Sequence, residues 1–126
     1  ILADLFQDAA QHPHIGKPIS FVVVPNCPFF ETQGFRFHAR AAHLPIQVAS
    51  VTGVIARDAA SALEAGDYVV TKTGDQGPAW SLQGAPAVTQ AMHDPDSALA
   101  RQYVQIGEYP LPDGSVGRLY RHDRAG

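Results

Sequence analysis

The chain switches repeatedly between helical periodicity and short unbroken apolar runs, and these switches mark its elements. Leu2, Leu5, Phe6 and Ala9 recur at helical spacing with Asp4 and Asp8 between them. His12-Pro13-His14 stops that helix, because a residue before proline resists the helical region. Residues 19–24 are almost wholly apolar and largely β-branched, which predicts a strand covered on both faces and central in a parallel sheet. Asn26 suits the N-cap of a helix starting at Cys27 or Pro28, with Phe29, Phe30, Phe37 and Ala41 close to one face. Gly34 weakens the middle of that helix, and Leu44-Pro45 closes it. A second strand follows over residues 46–51, with Ile46, Val48 and Ala49 inward.

Residues 58–65 are alanine-rich and end at Gly66, the expected position for a helix C-terminal glycine. Tyr68, Val69 and Val70 form a third buried strand. A helix is predicted over residues 85–93 with Pro86 in its first turn, and a further turn or two runs from Asp94 to Ala100. Residues 102–109 and 116–121 form a hairpin, for which Asp113-Gly114 is the turn signal.

The resulting order is α-β-α-β-α-β-α-β-β. The expectation is an α/β fold: a three-layer, Rossmann-like, mostly parallel sheet of about five strands with an antiparallel C-terminal hairpin edge. At 126 residues, without internal repeat or linker, residues 1–126 are expected to form one domain. The formal charge of −3 and the lack of a basic patch argue against a dedicated nucleic-acid binder. No apolar run approaches the roughly 18 residues of a membrane span. Cys27 is the single cysteine, so no disulfide or multi-thiolate zinc site can form within the chain. Ile1 is not preceded by Met, and no signal-peptide pattern follows it, which leads to the expectation of a domain excised from a larger protein.

Ligands of open α/β sheets sit beyond the carboxyl ends of the strands where strand order reverses. With the first strand central, that crevice falls between the turn at Asn26 and the glycine-bracketed loop after the third strand. Asn26, Lys72, Asp75 and Gln76 are therefore the candidate substrate-binding residues, with Trp80 as a stacking wall. A cation, a carboxylate and two amides suit a sugar or phosphosugar. The plainer reading is that Gly74 and Gly77 permit the turn while Asp75 and Asn26 bond nearby amides. No phosphate loop is present, since Lys72 precedes the glycines, and no Gly-x-Gly-x-x-Gly fingerprint follows any predicted strand. No cofactor is expected. His12, His14, His38 and His43 lack zincin spacing and read as surface or capping residues, so no metal is expected either. Cys27 reads as a small buried residue beside a strand, and no catalytic residue is assigned.

Two motifs together carry a resemblance. Asp67-Tyr68-Val69-Val70-Thr71-Lys72-Thr73-Gly74-Asp75-Gln76-Gly77-Pro78, and Tyr109-Pro110-Leu111-Pro112-Asp113-Gly114-Ser115 followed by Leu119-Tyr120-Arg121, are similar to the soluble extracytoplasmic domain of bacterial polytopic GT-C glycosyltransferases, the dolichyl-phosphate-mannose protein mannosyltransferase-like group. Val22-Val23-Val24-Pro25-Asn26, an aromatic helix and then Val48-Ala49-Ser50-Val51-Thr52-Gly53 resemble it in order and spacing, so the likeness runs from about residue 19 onward. The resemblance implies a parent that uses a polyprenyl-phosphate-linked sugar, with its catalytic acid in a loop between membrane helices. That acid has no counterpart in this chain. It further implies a non-catalytic domain on the periplasmic side of the inner membrane. The implied partner is the membrane-embedded part of the same polypeptide, with a sugar, phosphosugar or acceptor as ligand. The alternative, from the residues alone, is a stand-alone module that binds a nucleotide or phosphosugar.

Overall fold

The computed structural model describes residues 1–12, 19–24, 32–50, 66–74, 76 and 85–123. The helix expected over residues 58–65 and the first turns of the helix expected from Cys27 lie outside them. In chain order the elements are α1 (Leu2–Ala10), β1 (Ile19–Val23), α2 (Thr32–Ala41), β2 (Ile46–Ser50), β3 (Tyr68–Lys72), α3 (Ala85–His93), a 3-10 turn (Ala100–Gln102), β4 (Tyr103–Pro110) and β5 (Val116–His122). The strands form one open mixed sheet in the order β2-β1-β3-β5-β4. β1 pairs in parallel with both β2 and β3, whereas β5 is antiparallel to β3 and β4. The fold is thus mixed α/β with five strands, and the hairpin supplies the antiparallel side. Its second strand, not its first, is the one inserted next to β3.

The apolar run of β1 is buried as its sequence requires, and β3 is buried along its whole length. Alternation divides the core in two. Val22, Val24, Val69 and Tyr120 pack with Val88 and Met92 of α3. Phe21, Val23, Val70 and Leu119 pack with Leu5 of α1, and Phe35 of α2 lies against them. Phe35 meets Phe21 edge-to-face at 5.2 Å between ring centres.

α2 turns a different face inward from the one read off its aromatic spacing. Ala39 is buried and Phe35 packs on the core, while Phe37 is 68% exposed and Ala41 is also exposed. Ala49 of β2 is likewise exposed, whereas Val48 is buried. The end of α2 is a Schellman-type cap, in which Leu44 N–H donates to the Ala39 carbonyl at 2.9 Å and His43 N–H to the Arg40 carbonyl at 3.1 Å. His43 therefore holds the left-handed position at φ 55°, where glycine is usual.

α1 is fastened to the sheet by its two acids, which lie four residues apart on one face. Asp8 accepts from the Tyr68 hydroxyl at 2.7 Å and from Arg121 Nη1 at 2.7 Å. Asp4 accepts from the Tyr109 hydroxyl. Burial and the neighbouring Asp8 push the Tyr68 phenol well above its ordinary range.

Candidate functional site

Strand order reverses at β1, which has β2 on one side and β3 on the other. The crevice expected of an open α/β sheet would lie beyond Val24 and Lys72, at the carboxyl ends of β1 and β3. The β4–β5 turn stands at the same end of the sheet, because Lys72 is paired with Gly117. Of the five predicted ligand residues, Asn26, Asp75 and Trp80 lie outside the described residues. Lys72 and Gln76 are both buried.

Lys72 closes β3, and its side chain has no solvent exposure. Its ammonium lies 2.9 Å from Asp113 Oδ2 in the hairpin turn and donates to the Thr73 carbonyl at 3.1 Å. A cation so fully withdrawn from water needs such partners, since an unpaired charge would cost several kcal/mol, on the order of 3–5. Asp113 also accepts from the backbone N–H and hydroxyl of Ser115. The Ser115 hydroxyl first, and the Lys72 ammonium beside it, hold the Asp113 carboxyl down at about 2. Gly114 provides the left-handed step of this turn at φ 84°.

Backbone bonds tighten the same junction. Thr73 N–H donates to the Val116 carbonyl at 2.9 Å, and Val116 N–H returns a bond to Thr73 Oγ1 at 2.9 Å. Gln76 ties the loop to its own strand and to α3. Its amide donates to the carbonyls of Lys72 and Gly74, and its oxygen accepts from the Thr89 hydroxyl at 3.1 Å. In the described residues the arrangement at this strand end is a brace that fixes loop, hairpin and helix together.

A second set of polar side chains converges beside α3, and no sequence motif signals it. Thr71 Oγ1 bonds His93 Nε2 at 2.9 Å, where α3 ends. Burial pushes the Tyr120 phenol up, and the neighbouring Thr71 and Arg118 oppose that shift. Arg118 Nε lies 3.5 Å from Glu108 on the neighbouring strand, directly opposite in register. Burial, followed by the positive charge of Arg118, lowers the His93 pKa from its ordinary value. Period-two alternation puts Arg118 and Tyr120 on one face of β5, but only the tertiary pairing brings His93 and Glu108 to them.

Among the described residues no group of three or more His, Cys, Asp or Glu is placed to hold a metal ion. No helix there is long and apolar enough to cross a membrane. Comparison with protein-family models, curated proteins and solved structures finds no match to this chain.

Proposed function

We propose that the chain is a non-catalytic extracytoplasmic domain of a membrane glycosyltransferase that uses a polyprenyl-phosphate-linked sugar. In this reading its layers are those of a three-layer Rossmann-like domain, and it contacts the membrane-embedded part of the enzyme or aids acceptor binding. The observation that carries the proposal is the joining of the two stretches on which the resemblance rests. Within them Tyr68–Lys72 pairs with Gly117–Arg121 as β3 against β5, and the buried Lys72 is paired across the junction with Asp113. Residues that hold two distant stretches together in this way act as one structural unit, which is what a shared domain signature requires.

A contact role is supported by an apolar groove of about 770 Å³ between α1, α2 and the hairpin turn, lined in part by Leu2, Phe6, Phe35, Leu44 and Leu111. Exposed Phe37 stands at its side, edge-to-face with the groove residue His38. Exposed apolar surface of this kind marks contact sites.

The test has three arms. Purified alone, the chain is expected to transfer no sugar from a polyprenyl-phosphate donor. Its reading frame is expected to encode multiple membrane spans. Deleting the domain from that full-length protein is expected to reduce transfer in membrane preparations. Turnover by the isolated chain, or a reading frame without spans, overturns the proposal.

A further inference from the structure

The polar groove beside α3 has the chemistry of a binding site. It encloses about 460 Å³ and is lined by His93, Gln105, Glu108, Arg118 and Tyr120, among others. That volume lies within the range of small-molecule pockets, about 300–1,000 Å³. Its base is the rings of Tyr103 and Tyr120 with Met92, all largely buried in the core.

The charges in the groove balance. Arg118 faces Glu108, with side chains 27% and 54% exposed, so both can reach a ligand. An anion that approached Arg118 would meet the Glu108 carboxylate, and a cation drawn to Glu108 would meet the guanidinium. His93 adds no charge near neutral pH, because burial and Arg118 disfavour its protonated form. What remains is a dense set of donors and acceptors: guanidinium, carboxylate, the Gln105 carboxamide, imidazole and phenol. The inner members are fixed in place, since Thr71 holds His93 and the core packs Tyr120. Ready-made orientation of this kind reduces the ordering cost of binding.

We infer that this groove binds a neutral polyhydroxylated ligand, a saccharide unit. Adjacent hydroxyls of a sugar each donate and accept, so they can bridge Arg118 and Glu108 together. Its C–H face can lie on the apolar base. The inference stands on the groove alone and does not depend on the membrane setting proposed above.

The test is amide NMR of the whole chain titrated to tens of millimolar with glucose, mannose, galactose, N-acetylglucosamine and their disaccharides. Inorganic phosphate and acetate serve as anion probes. At least one neutral sugar is expected to shift residues of the groove, led by Gln105, Glu108, Arg118 and His93. Arg118→Met and Glu108→Gln are each expected to weaken that binding by about tenfold, the loss of one or two hydrogen bonds to a charged group. The exposed Gln105→Ala, which leaves the core untouched, should weaken it about threefold. Absence of groove shifts with every sugar overturns the inference. So does binding confined to the anions, or sugar binding that Gln105→Ala and Glu108→Gln both leave unchanged in folded protein.

Discussion

Lys72 Nζ and Asp113 Oδ2 are 2.9 Å apart, with the lysine side chain wholly buried and the aspartate about a third exposed (32%). The unequal burial makes the two partners unequal under mutation. Asp113→Asn takes the hairpin carboxylate away from a buried ammonium and is expected to lower the melting temperature. Lys72→Met removes charge at similar volume and is expected to be nearly neutral, whereas Lys72→Ala leaves a cavity costing about 2 kcal/mol or more. Thermal melts should therefore place Lys72→Met/Asp113→Asn above Asp113→Asn alone. The reverse order would remove the pair as the cause.

The same pair sets an acid limit. The folded Asp113 carboxyl sits at about 2, below its ordinary 3.8. A depressed carboxyl contributes stability that is full above the unfolded value and is lost as pH falls from about 4 through about 2. The gap in melting temperature between wild type and Asp113→Asn should accordingly narrow over that window, as followed by circular dichroism.

His93 titrates in a higher window with the same sign. Its folded pKa is lowered from 6.5, so the neutral ring favours the folded state above that value. This contribution is lost as pH falls below about 6.5 through the folded value. Stability is expected to drop as pH falls below about 6.5, and His93→Gln should flatten the drop. An equally steep drop in the variant would assign it elsewhere.

Asp8 receives the Tyr68 hydroxyl and Arg121 together. Tyr68→Phe is expected to cost about 1.5 kcal/mol, and Asp8→Ala about 2–3 kcal/mol because a buried and a partly buried donor lose their acceptor. Urea unfolding measures both, and a smaller loss for Asp8→Ala than for Tyr68→Phe would contradict this account.

His43 occupies a left-handed position at φ 55°. His43→Gly is expected to stabilise the chain by about 1 kcal/mol, because glycine removes the Cβ strain there. The exposed imidazole has no core contact to forfeit. A lower urea midpoint for the variant would show that the His43 ring makes a contact worth more than the strain.

Local signals carried most of the element order. The unbroken apolar run of β1 marked a strand covered on both sides, and Asp113-Gly114 marked the hairpin turn. What local signals could not convey is partnership. Asp4 and Asp8 look like the solvent side of an amphipathic helix, yet each takes a hydrogen bond from a sheet tyrosine 60 or 105 residues away. Lys72 looks like a loop-side cation at a strand end, yet its carboxylate partner lies in the hairpin turn. Phe37 is apolar but points outward because Phe35 and Ala39 already fill the inward face of α2. The groove beside α3 was illegible for the same reason, since Thr71, His93, Glu108 and Tyr120 share no sequence window.

The place of β5 also bears on biosynthesis. It is the last described strand, yet it is inserted between β3 and β4. A nascent chain that has emerged only as far as residue 112 would carry β3 with an open edge and Lys72 without Asp113. Closing that edge requires pairing across a long sequence separation, which is slow relative to helix formation. The sheet should thus be completed only once β5 has been synthesised, and until then the exposed flank of β3 is a natural place for a chaperone to bind.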